Sequence, residues 1–383
     1  MPVMVPDTIL TLGIPGRRMH LARPIGVRGQ RQYDARQCHS FLTPFRFPRV
    51  IMAVFFCGGL AMMYSNLRTA ATRAMFAISI VLICVASYLF QFGYLHALAS
   101  GVGIIDFEKA RQLLLLGATL RLDTDGYIVE IDFTSDVDSD SVSDVGDECL
   151  QHILGLEKLR CLTIGAMSVT ESGVQSLATL KELVHLSVTV PNDKALSYIG
   201  ELAELRSLRV AGDVTGAGFR TFSKSSRLNS LVVFDAKSVS KDIYALNSLT
   251  SLRRLAFVHT PITDGLIIGL RETFGRLFEF SAFDSKIADD GASVFCDLPT
   301  LEVLRLARSG VTDVGVGRMQ GLPSLSELVL AHTKTSDGCV RSLEMFTQLK
   351  KISVWGTAMT SDGRHRLKQS LRDVEISESF RPY

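Results

Sequence analysis

A large apolar residue, of the kind that fills protein cores, recurs along most of this 383-residue chain at a nearly fixed interval. The recurring positions are Leu162, Leu186, Leu208, Leu231, Leu255, Phe280, Leu304, Leu328, Ile352 and Val374. Successive steps are 22 to 25 residues. A period of this length predicts a solenoid, because each repeat then forms one turn that buries its apolar side chains only by stacking on its neighbours.

The spacing inside each repeat predicts the local structure of the turn. In one unit, Leu298, Leu301, Leu304 and Leu306 are separated by three, three and two residues. Two apolar residues spaced two apart indicate a short strand, and residues spaced three apart belong to the segment that climbs toward it. Stacked at ~4.8 Å per strand, ten such strands would form a parallel sheet about 45 Å long along its inner arc.

Two units carry a recognisable opening. The segments VTDVGVGRMQGLPSLSELVL (311–330) and ITDGLIIGLRETFGRLFEF (262–280) resemble bacterial leucine-rich repeats of about 24 residues that open with Ile-Thr-Asp-x-Gly-Leu. The resemblance covers residues 120–376 and implies an α/β horseshoe with a parallel concave sheet and convex helices. The run at 116–133 resembles the entry strand of membrane-anchored bacterial members. Val214 opens a unit without the Asp, and the unit near Pro191 lacks Thr-Asp, which predicts a looser convex side there.

The Thr-Asp element has a structural explanation of its own. Thr or Ser can cap the N–H groups that begin a convex helix, and the adjacent carboxylate complements the positive end of that helix. The pairs assigned to this role are Thr263 with Asp264, Thr312 with Asp313, and Ser336 with Asp337. A catalytic or metal array is the less favoured interpretation, since a repeated element usually performs a repeated structural task.

The first 49 residues are rich in arginine and proline. They contain eight arginines, two aspartates and six of the eleven prolines. Neither a strand nor a helix period is present, which predicts a disordered cationic segment. The first lysine of the chain is Lys109, and the alternative is therefore that translation starts at Met52 or Met62 and that residues 1–49 are an artefact of the gene model.

Residues 50–100 are predicted to be a membrane region. Residues 74–98 contain no charged side chain, and the core from 75 to 95 would span ~32 Å as a helix, close to the hydrocarbon thickness of a bilayer. Residues 50–67 form a second, shorter uncharged segment. If both cross the membrane, they form a hairpin and the repeats face the cytoplasm; if only 74–98 crosses, a signal anchor places the repeats outside.

The remaining chain divides into two parts. Residues 101–150 are assigned to a juxtamembrane helix, the entry strand and an acidic insertion, and residues 151–378 to the solenoid. In the insertion, Asp136, Asp138, Asp140, Asp144 and Asp147 occupy loop positions typical of a calcium site. Ser141 stands where that loop needs Gly and Asp147 replaces the usual Glu, so a solvated acidic loop is the favoured interpretation.

The strand register predicts which side chains face the concave side. These are Arg209, Phe234, Arg254, Glu279, Arg305, Arg308, Glu327, His332, Lys351 and Trp355. Arginine and tryptophan are enriched at binding hot spots because each combines a large contact area with a directed polar group. We therefore take Arg209, Phe234, Arg254, Arg305, Arg308, His332, Lys351 and Trp355 as candidate partner-binding residues, with Trp355 alternatively part of the terminal cap.

The sequence offers little for catalysis or cofactor binding. The seven cysteines form no CxxC pair, and the chain contains no nucleophile elbow, Walker A loop, HExxH or dinucleotide fingerprint. Beyond residue 108 the chain carries 31 basic and 35 acidic residues, which disfavours a nucleic-acid partner. We expect a noncatalytic, membrane-anchored module without cofactor that recognises a protein or glycan. The alternative is a calcium-stabilised, self-associating component of the cell envelope.

Overall fold

Each repeat contributes one short strand to a single sheet, and the strands follow one another in chain order. The computed structural model describes the strand at residues 9–10 and residues 106–133, 146–165, 169–224, 227–319 and 321–377. Strands β1 to β3 pair antiparallel, and every pairing from β3 to β13 is parallel. The strands are β1 Ile9–Leu10, β2 Thr119–Leu122, β3 Ile128–Asp132, β4 Cys161–Thr163, β5 His185–Val190, β6 Ser207–Gly212, β7 Ser230–Phe234, β8 Arg254–Val258, β9 Glu279–Phe283, β10 Val303–Arg305, β11 Glu327–Val329, β12 Lys351–Ser353 and β13 Glu375–Ser377.

The parallel register matches the predicted repeat positions from Leu162 to Ile352. Leu162 pairs with Leu186, and the row continues one residue per strand to Leu328 and Ile352. The last predicted position was wrong. Ile376, not Val374, is the partner of Ile352, so the final step is 24 residues, and Val374, two residues before the strand position, packs beside the core.

The entry strand is a hairpin. Strands β2 and β3 pair antiparallel with Thr119 opposite Asp132, and β3 then pairs parallel with β4. The outer edge of β2 pairs with β1, where Leu10 lies opposite Leu120. The hairpin therefore covers the first edge of the parallel sheet, which would otherwise expose unpaired backbone groups.

Short helices occupy the convex side. The α-helices are Phe107–Leu115, Gly146–Ile153, Glu171–Leu177, Asp193–Ile199, Asp264–Gly269, Arg271–Phe274, Asp289–Ala292, Asp313–Arg318, Val340–Leu343 and Ser361–Ser370. The 3-10 helices are Ala217–Lys224, Lys241–Ser248, Ser293–Phe295 and Asp337–Cys339. The unit opened by Val214 has a 3-10 helix, as its departure from the pattern suggested. The unit after Pro191 does not differ in this way: Asn192 accepts a hydrogen bond from the Ala195 N–H at 2.8 Å and caps a regular α-helix.

The interior is one continuous apolar core that runs through the repeats. Three aromatic rings pack together in this core around β9. The ring centroids of Phe274 and Phe280 are 4.8 Å apart, and Phe295 lies 5.2 Å from Phe274 and 5.3 Å from Phe280. Each repeat buries its apolar side chains against the next repeat, which is the arrangement that the fixed period predicted.

A carboxylate links each regular repeat to the next on the convex side. Asp289 accepts hydrogen bonds from the backbone N–H of Thr312 at 2.8 Å and from its hydroxyl at 2.7 Å. Asp337 makes the same two contacts to Thr360. The aspartate of the Thr-Asp element therefore reaches the start of the next helix, one repeat further on, in addition to lying in the first turn of its own helix. We call these contacts the cross-repeat links. They join Asp147 to Thr170, Asp193 to Thr215, Asp264 to Ala288, Asp289 to Thr312, Asp313 to Ser336, and Asp337 to Thr360.

The predicted capping role of Thr and Ser is present at two of the three sites. The hydroxyl oxygens of Thr312 and Ser336 accept hydrogen bonds from the N–H groups of Val314 and Gly338. Thr263 precedes its helix without a side-chain cap bond. The Thr or Ser side chain thus serves two neighbours, since its oxygen accepts from its own helix and its hydroxyl donates to the preceding aspartate.

The cross-repeat links also explain the glycine of the motif. A Cβ atom at Gly315 would collide with Asp289 Oδ1, and one at Gly291 would collide with Asp264 Oδ1. A Cβ at Gly363 would likewise collide with Asp337 Oδ1. In these three repeats the carboxylate of the preceding repeat occupies the space of a side chain, whereas Cys339 stands at the equivalent position of the repeat that Ser336 opens.

Several predicted segments lie outside the described residues. These are the N-terminal segment 1–49 except residues 9–10, the membrane region 50–100, and Asp136, Asp138, Asp140 and Asp144 of the acidic insertion. Among the helices that the structure describes, none is long and apolar enough to cross a membrane.

Candidate binding surface

The strand register arranges the side chains that point away from the main core in three columns on the concave side of the sheet. In the first column, Ser230 lies beside Arg254, Arg254 beside Glu279, and Glu327 beside Lys351. In the second column, Arg209 lies beside Val232, and Ser281 beside Arg305. The third column runs through Phe234, Val258, Phe283, Ala307, Ala331 and Trp355.

Eight of the ten predicted concave residues occupy these columns. They are Arg254, Glu279, Glu327 and Lys351 in the first, Arg209 and Arg305 in the second, and Phe234 and Trp355 in the third. Arg308 and His332 instead lie just past the third column, at the rim where each strand turns toward the convex side. Trp355 is 49% exposed and does not bury its ring in the core as a cap residue would.

An ion network lies in the middle of the concave face. Arg305 Nε donates to Glu327 Oε1 at 2.8 Å, and its Nη1 donates to Glu279. Glu279 also pairs with Arg254 at 3.5 Å. Desolvation would lower the pKa of Arg305, but the hydrogen bonds and negative charge of Glu327 and Glu279 outweigh it, and the net pKa is raised. Arg305 therefore bridges three repeats, and much of its binding capacity is already used within the sheet.

A second apolar cluster, separate from the core, lies beside this network. Val258, Phe283, Ala307, Val329 and Ala331 form it, and Val232 and Phe234 pack against it. The guanidinium of Arg308 lies 5.6 Å from the centroid of the Phe283 ring, a cation–π geometry. The His259 ring meets the same phenylalanine edge-on at 4.8 Å. The five members of the cluster are buried, from Ala331 at 0% to Phe283 at 7% exposed, so the apolar side chains that this face presents are the partly exposed Val232 and Phe234 and the half-exposed Trp355.

The rim is formed by residues in the left-handed backbone conformation. Asp235, His259, Asp284, Arg308 and His332 have φ values of 51°, 49°, 56°, 54° and 57°. Each donates its N–H to a carbonyl of the next repeat, as Asp235 does to Val258 at 3.0 Å. Side chains of Asp and His tolerate this conformation better than most. The His259 Nδ1 lies 3.2 Å from Asp284 Oδ2, so neighbouring rim residues also contact each other.

Sequence reasoning missed Asp235, His259 and Asp284. A residue in the left-handed conformation after a strand is usually recognised in a sequence as Gly or Asn. In these repeats the position is held by charged residues or histidine instead. The available signal was the spacing, since all five rim residues follow one another at 24 or 25 residues and Gly356 continues the row with φ 67°.

The described cysteines are not activated as nucleophiles. Burial and the nearby Asp147 raise the pKa of Cys149 to about 11. Burial and Asp313 raise the pKa of Cys339 to about 12. The pKa of Cys161 is raised chiefly by burial, and that of Cys296 chiefly by its hydrogen bond to Asp297. These thiols are protonated near neutral pH, and a thiol is a much weaker nucleophile than a thiolate.

The part of the chain that the structure describes also offers little for binding a metal ion or a small ligand. Across those ranges, no group of three or more His, Cys, Asp or Glu side chains is placed to hold a metal ion. Of the five predicted calcium ligands, Asp147 is described, and it accepts a hydrogen bond from the Thr170 N–H at 2.9 Å. A cleft of about 410 Å³ lies between residues 155–158 and 179–182, away from the concave columns.

The parallel sheet, the repeat of about 24 residues and the convex helices define a leucine-rich-repeat solenoid. No family model and no curated protein matches the sequence. Two solved structures from Listeria monocytogenes are similar. An internalin (inlF) is 20% identical with a TM-score of 0.41, covering 60% of this chain and 76% of its own. Internalin C2 is 17% identical with a TM-score of 0.40, covering 55% of this chain and 84% of its own. The fold assignment rests on the strand register and repeat length of this chain.

Proposed function

We propose that this protein is a noncatalytic binding module that recognises a partner protein on its concave face. The observation that carries the proposal is the sheet face itself, which presents the partly exposed Phe234 and the half-exposed Trp355 together with the exposed arginines Arg209, Arg254 and Arg308. A long, open, curved surface fits a macromolecule better than a small ligand, which needs a concave pocket that buries most of its area. The inert thiols favour binding over covalent chemistry.

Site-specific photo-cross-linking in the native cell tests this function. A photoreactive amino acid at Arg209 or Trp355, on the concave face, is expected to form an adduct with a discrete partner protein. Matched controls carry the same group at Val314 or Met345, which are 57% and 70% exposed but lie outside the sheet. Adducts of equal yield from both sets, or none from Arg209 and Trp355, would contradict the proposal.

We further propose that residues 74–98 anchor this module in a membrane. The support is their length and the absence of charge, which suit a bilayer span. The full chain is expected to resist extraction of membranes at alkaline pH, and a variant lacking 74–98 to be released. Protease protection of the repeats in sealed vesicles then separates the hairpin from the signal-anchor topology. Release of the full chain at alkaline pH would contradict the anchor.

A further inference from the structure

Five arginines belong to strands β4, β6 and β8 or directly precede them, in the first half of the parallel sheet. Arg254 is in the first concave column and Arg209 in the second. Arg160, Arg206 and Arg253 each occupy the position just before the first column, where their carbonyls accept N–H groups from the next repeat. All five side chains belong to exposed residues. We call this set the cationic strip.

The strip contains no compensating carboxylate. We counted three positions in each of the strands β4 to β8: the two concave columns and the residue before them. All fifteen are described residues, and none is Asp or Glu. The arginines contact little that would neutralise them. Arg253 Nη1 donates to two backbone carbonyls at 2.9 Å, and Arg254, whose side chain is 60% exposed, has Glu279 at 3.5 Å and the centroid of the Phe278 ring at 5.9 Å. The fifteen positions therefore carry a net positive charge, which is bordered on β3 by Glu130 and Asp132, beside Cys161 and Thr163.

The charge reverses at β9. The same three positions of β9, β10 and β11 contain Glu279, Glu302 and Glu327, and their single cation, Arg305, is bound by two of them. A polyanion that followed the whole concave face would meet this acidic band, whereas a short acidic segment would end before it. Among the fifteen positions His185 is the only aromatic side chain, and the Phe278 ring meets Arg254 at the β9 end, whereas single-stranded nucleic acids are usually held by stacking on several aromatic rings. These features favour a peptide over a nucleic acid.

The arginines occupy alternate strands, namely β4, β6 and β8. Neighbouring strands are separated by about 4.8 Å, so the cations recur about every 10 Å along the sheet. A segment in the polyproline II conformation advances about 3.1 Å per residue and returns to the same face every three residues, so three residues cover nearly the same distance. Carboxylates at every third residue of an extended segment of this kind would each meet one arginine row.

We propose that the cationic strip binds an extended acidic segment of the partner protein, with carboxylates three residues apart. The segment runs along the sheet from β4 to β8 and ends before Glu279. This inference rests on the proposed function, since it specifies the chemistry of the partner that the concave face recognises. Electrostatic complementarity of this kind sets specificity and association rate.

Fluorescence anisotropy with synthetic probes tests the inference on the full-length chain in mild detergent. The first probe is a labelled nine-residue peptide with glutamates at positions 1, 4 and 7 and serine elsewhere. The second has the same composition with the three glutamates adjacent, and the third is a single-stranded oligothymidine of the same charge. The spaced peptide is expected to bind most tightly, and its affinity to fall steeply from about 50 to about 200 mM salt.

The variant Arg206→Glu with Arg209→Glu is expected to weaken the spaced peptide by about tenfold or more, while Arg206→Lys with Arg209→Lys retains binding within about threefold. The matched control, Arg341→Glu with Lys368→Glu, makes the same charge change at exposed residues away from the sheet and should alter binding less than about twofold. Equal effects of the two glutamate variants would overturn the proposal. So would tighter binding of the oligothymidine, and equal binding of the adjacent-glutamate peptide would overturn the three-residue spacing.

The cross-linking experiment separates this failure from failure of the proposed function. If the strip variants bind the peptides like wild type while Trp355 still yields a discrete adduct, only the acidic-segment proposal fails. If no concave position yields an adduct, the binding function itself fails. Unchanged thermal melting of the Arg206 and Arg209 variants shows that loss of binding is not loss of fold.

Discussion

The convex and concave sides of this solenoid are built from the same repeat but use it differently. On the convex side, the cross-repeat links place an aspartate, a Thr or Ser and a glycine in the same geometry several times, as in Asp289, Thr312 and Gly315. On the concave side, equivalent positions change from repeat to repeat, as in Arg209, Val232 and Ala256. Repetition therefore marks the residues that hold the repeats together, and variation marks the surface for which we propose partner recognition.

Replacing Gly315 is expected to have the largest effect on stability. In Gly315→Ala the new Cβ would collide with Asp289 Oδ1 and lie 3.0 Å from Val311 Cγ1. Asp289 is held by two hydrogen bonds and cannot move without losing them. Overpacking of this kind costs about 1–3 kcal/mol.

The control is Gly265→Ala, where nothing lies within 4 Å of the added Cβ. It should stabilise its helix by about 0.5–1 kcal/mol. Denaturant midpoints measure both, and equal losses would remove the steric explanation of the motif.

A double-mutant cycle sharpens that result. Asp289→Ala removes both hydrogen bonds to Thr312 and is expected to cost about 1–2 kcal/mol. It also removes the atom with which the new Cβ at position 315 collides. Gly315→Ala should therefore cost much less in the Asp289→Ala background than in wild type, which is a favourable coupling between contacting sites. Additive effects would show that the glycine is needed for another reason.

The repeat and its strand positions were predictable from sequence because burial fixes them. Leu304 and Leu328 must each fill the same interior, and the apolar spacing that this demands is visible without coordinates. The error at Val374 has a local cause: Val374 and Ile376 are both apolar and two apart, so spacing alone does not choose the strand residue. The cross-repeat role of Asp289 was not predictable, since its partner Thr312 lies 23 residues away and one repeat further on.

The candidate surface was only partly predictable. Alternation along each strand assigned Arg209, Arg254 and Trp355 to the concave face. It could not show that Arg305 is engaged by Glu279 and Glu327, because both contacts cross between strands. The sequence pattern did not identify Arg206 and Arg253 as surface candidates, since their position before the first column has no apolar pattern of its own.

The concave ion network is the exception in which a concave residue is expected to affect stability. Arg305→Met leaves Glu279 and Glu327 without their shared cation, and all three side chains are less than one third exposed. Hydrogen bonds to charged partners suggest a loss of about 1–2 kcal/mol. The matched control, Arg254→Met, removes a cation whose side chain is 60% exposed, and should change stability by less than about 0.5 kcal/mol. Equal, small effects of both variants would mean that the network does not stabilise the sheet.

Acid titration tests the cross-repeat links in another way. Desolvation would raise the pKa of Asp193, but hydrogen bonds from Thr215, Gly218 and Gly216 outweigh it and lower the pKa. Because the folded pKa lies below the ordinary value, the unfolded chain binds more protons in acid. The contribution of Asp193 to stability is thus complete above the ordinary aspartate range and is lost as the pH falls through the folded pKa. Asp193→Asn should flatten the acid side of the melting-temperature profile, and an acid side as steep as that of wild type would contradict this role of Asp193.

The smallest expected effect comes from an exposed concave residue, and it is the one that most directly tests the contrast between the two sides. Arg209→Ser changes an exposed side chain in the second column without touching a cross-repeat link. Surface substitutions of this kind usually change stability by less than about 0.5 kcal/mol. If the concave side is free to vary because recognition alone constrains it, this variant melts like wild type and yet loses affinity for its partner. A melting temperature lowered as much as that of Gly315→Ala would mean that the concave columns also hold the repeats together. The assignment of stability to the convex side and recognition to the concave side would then be wrong.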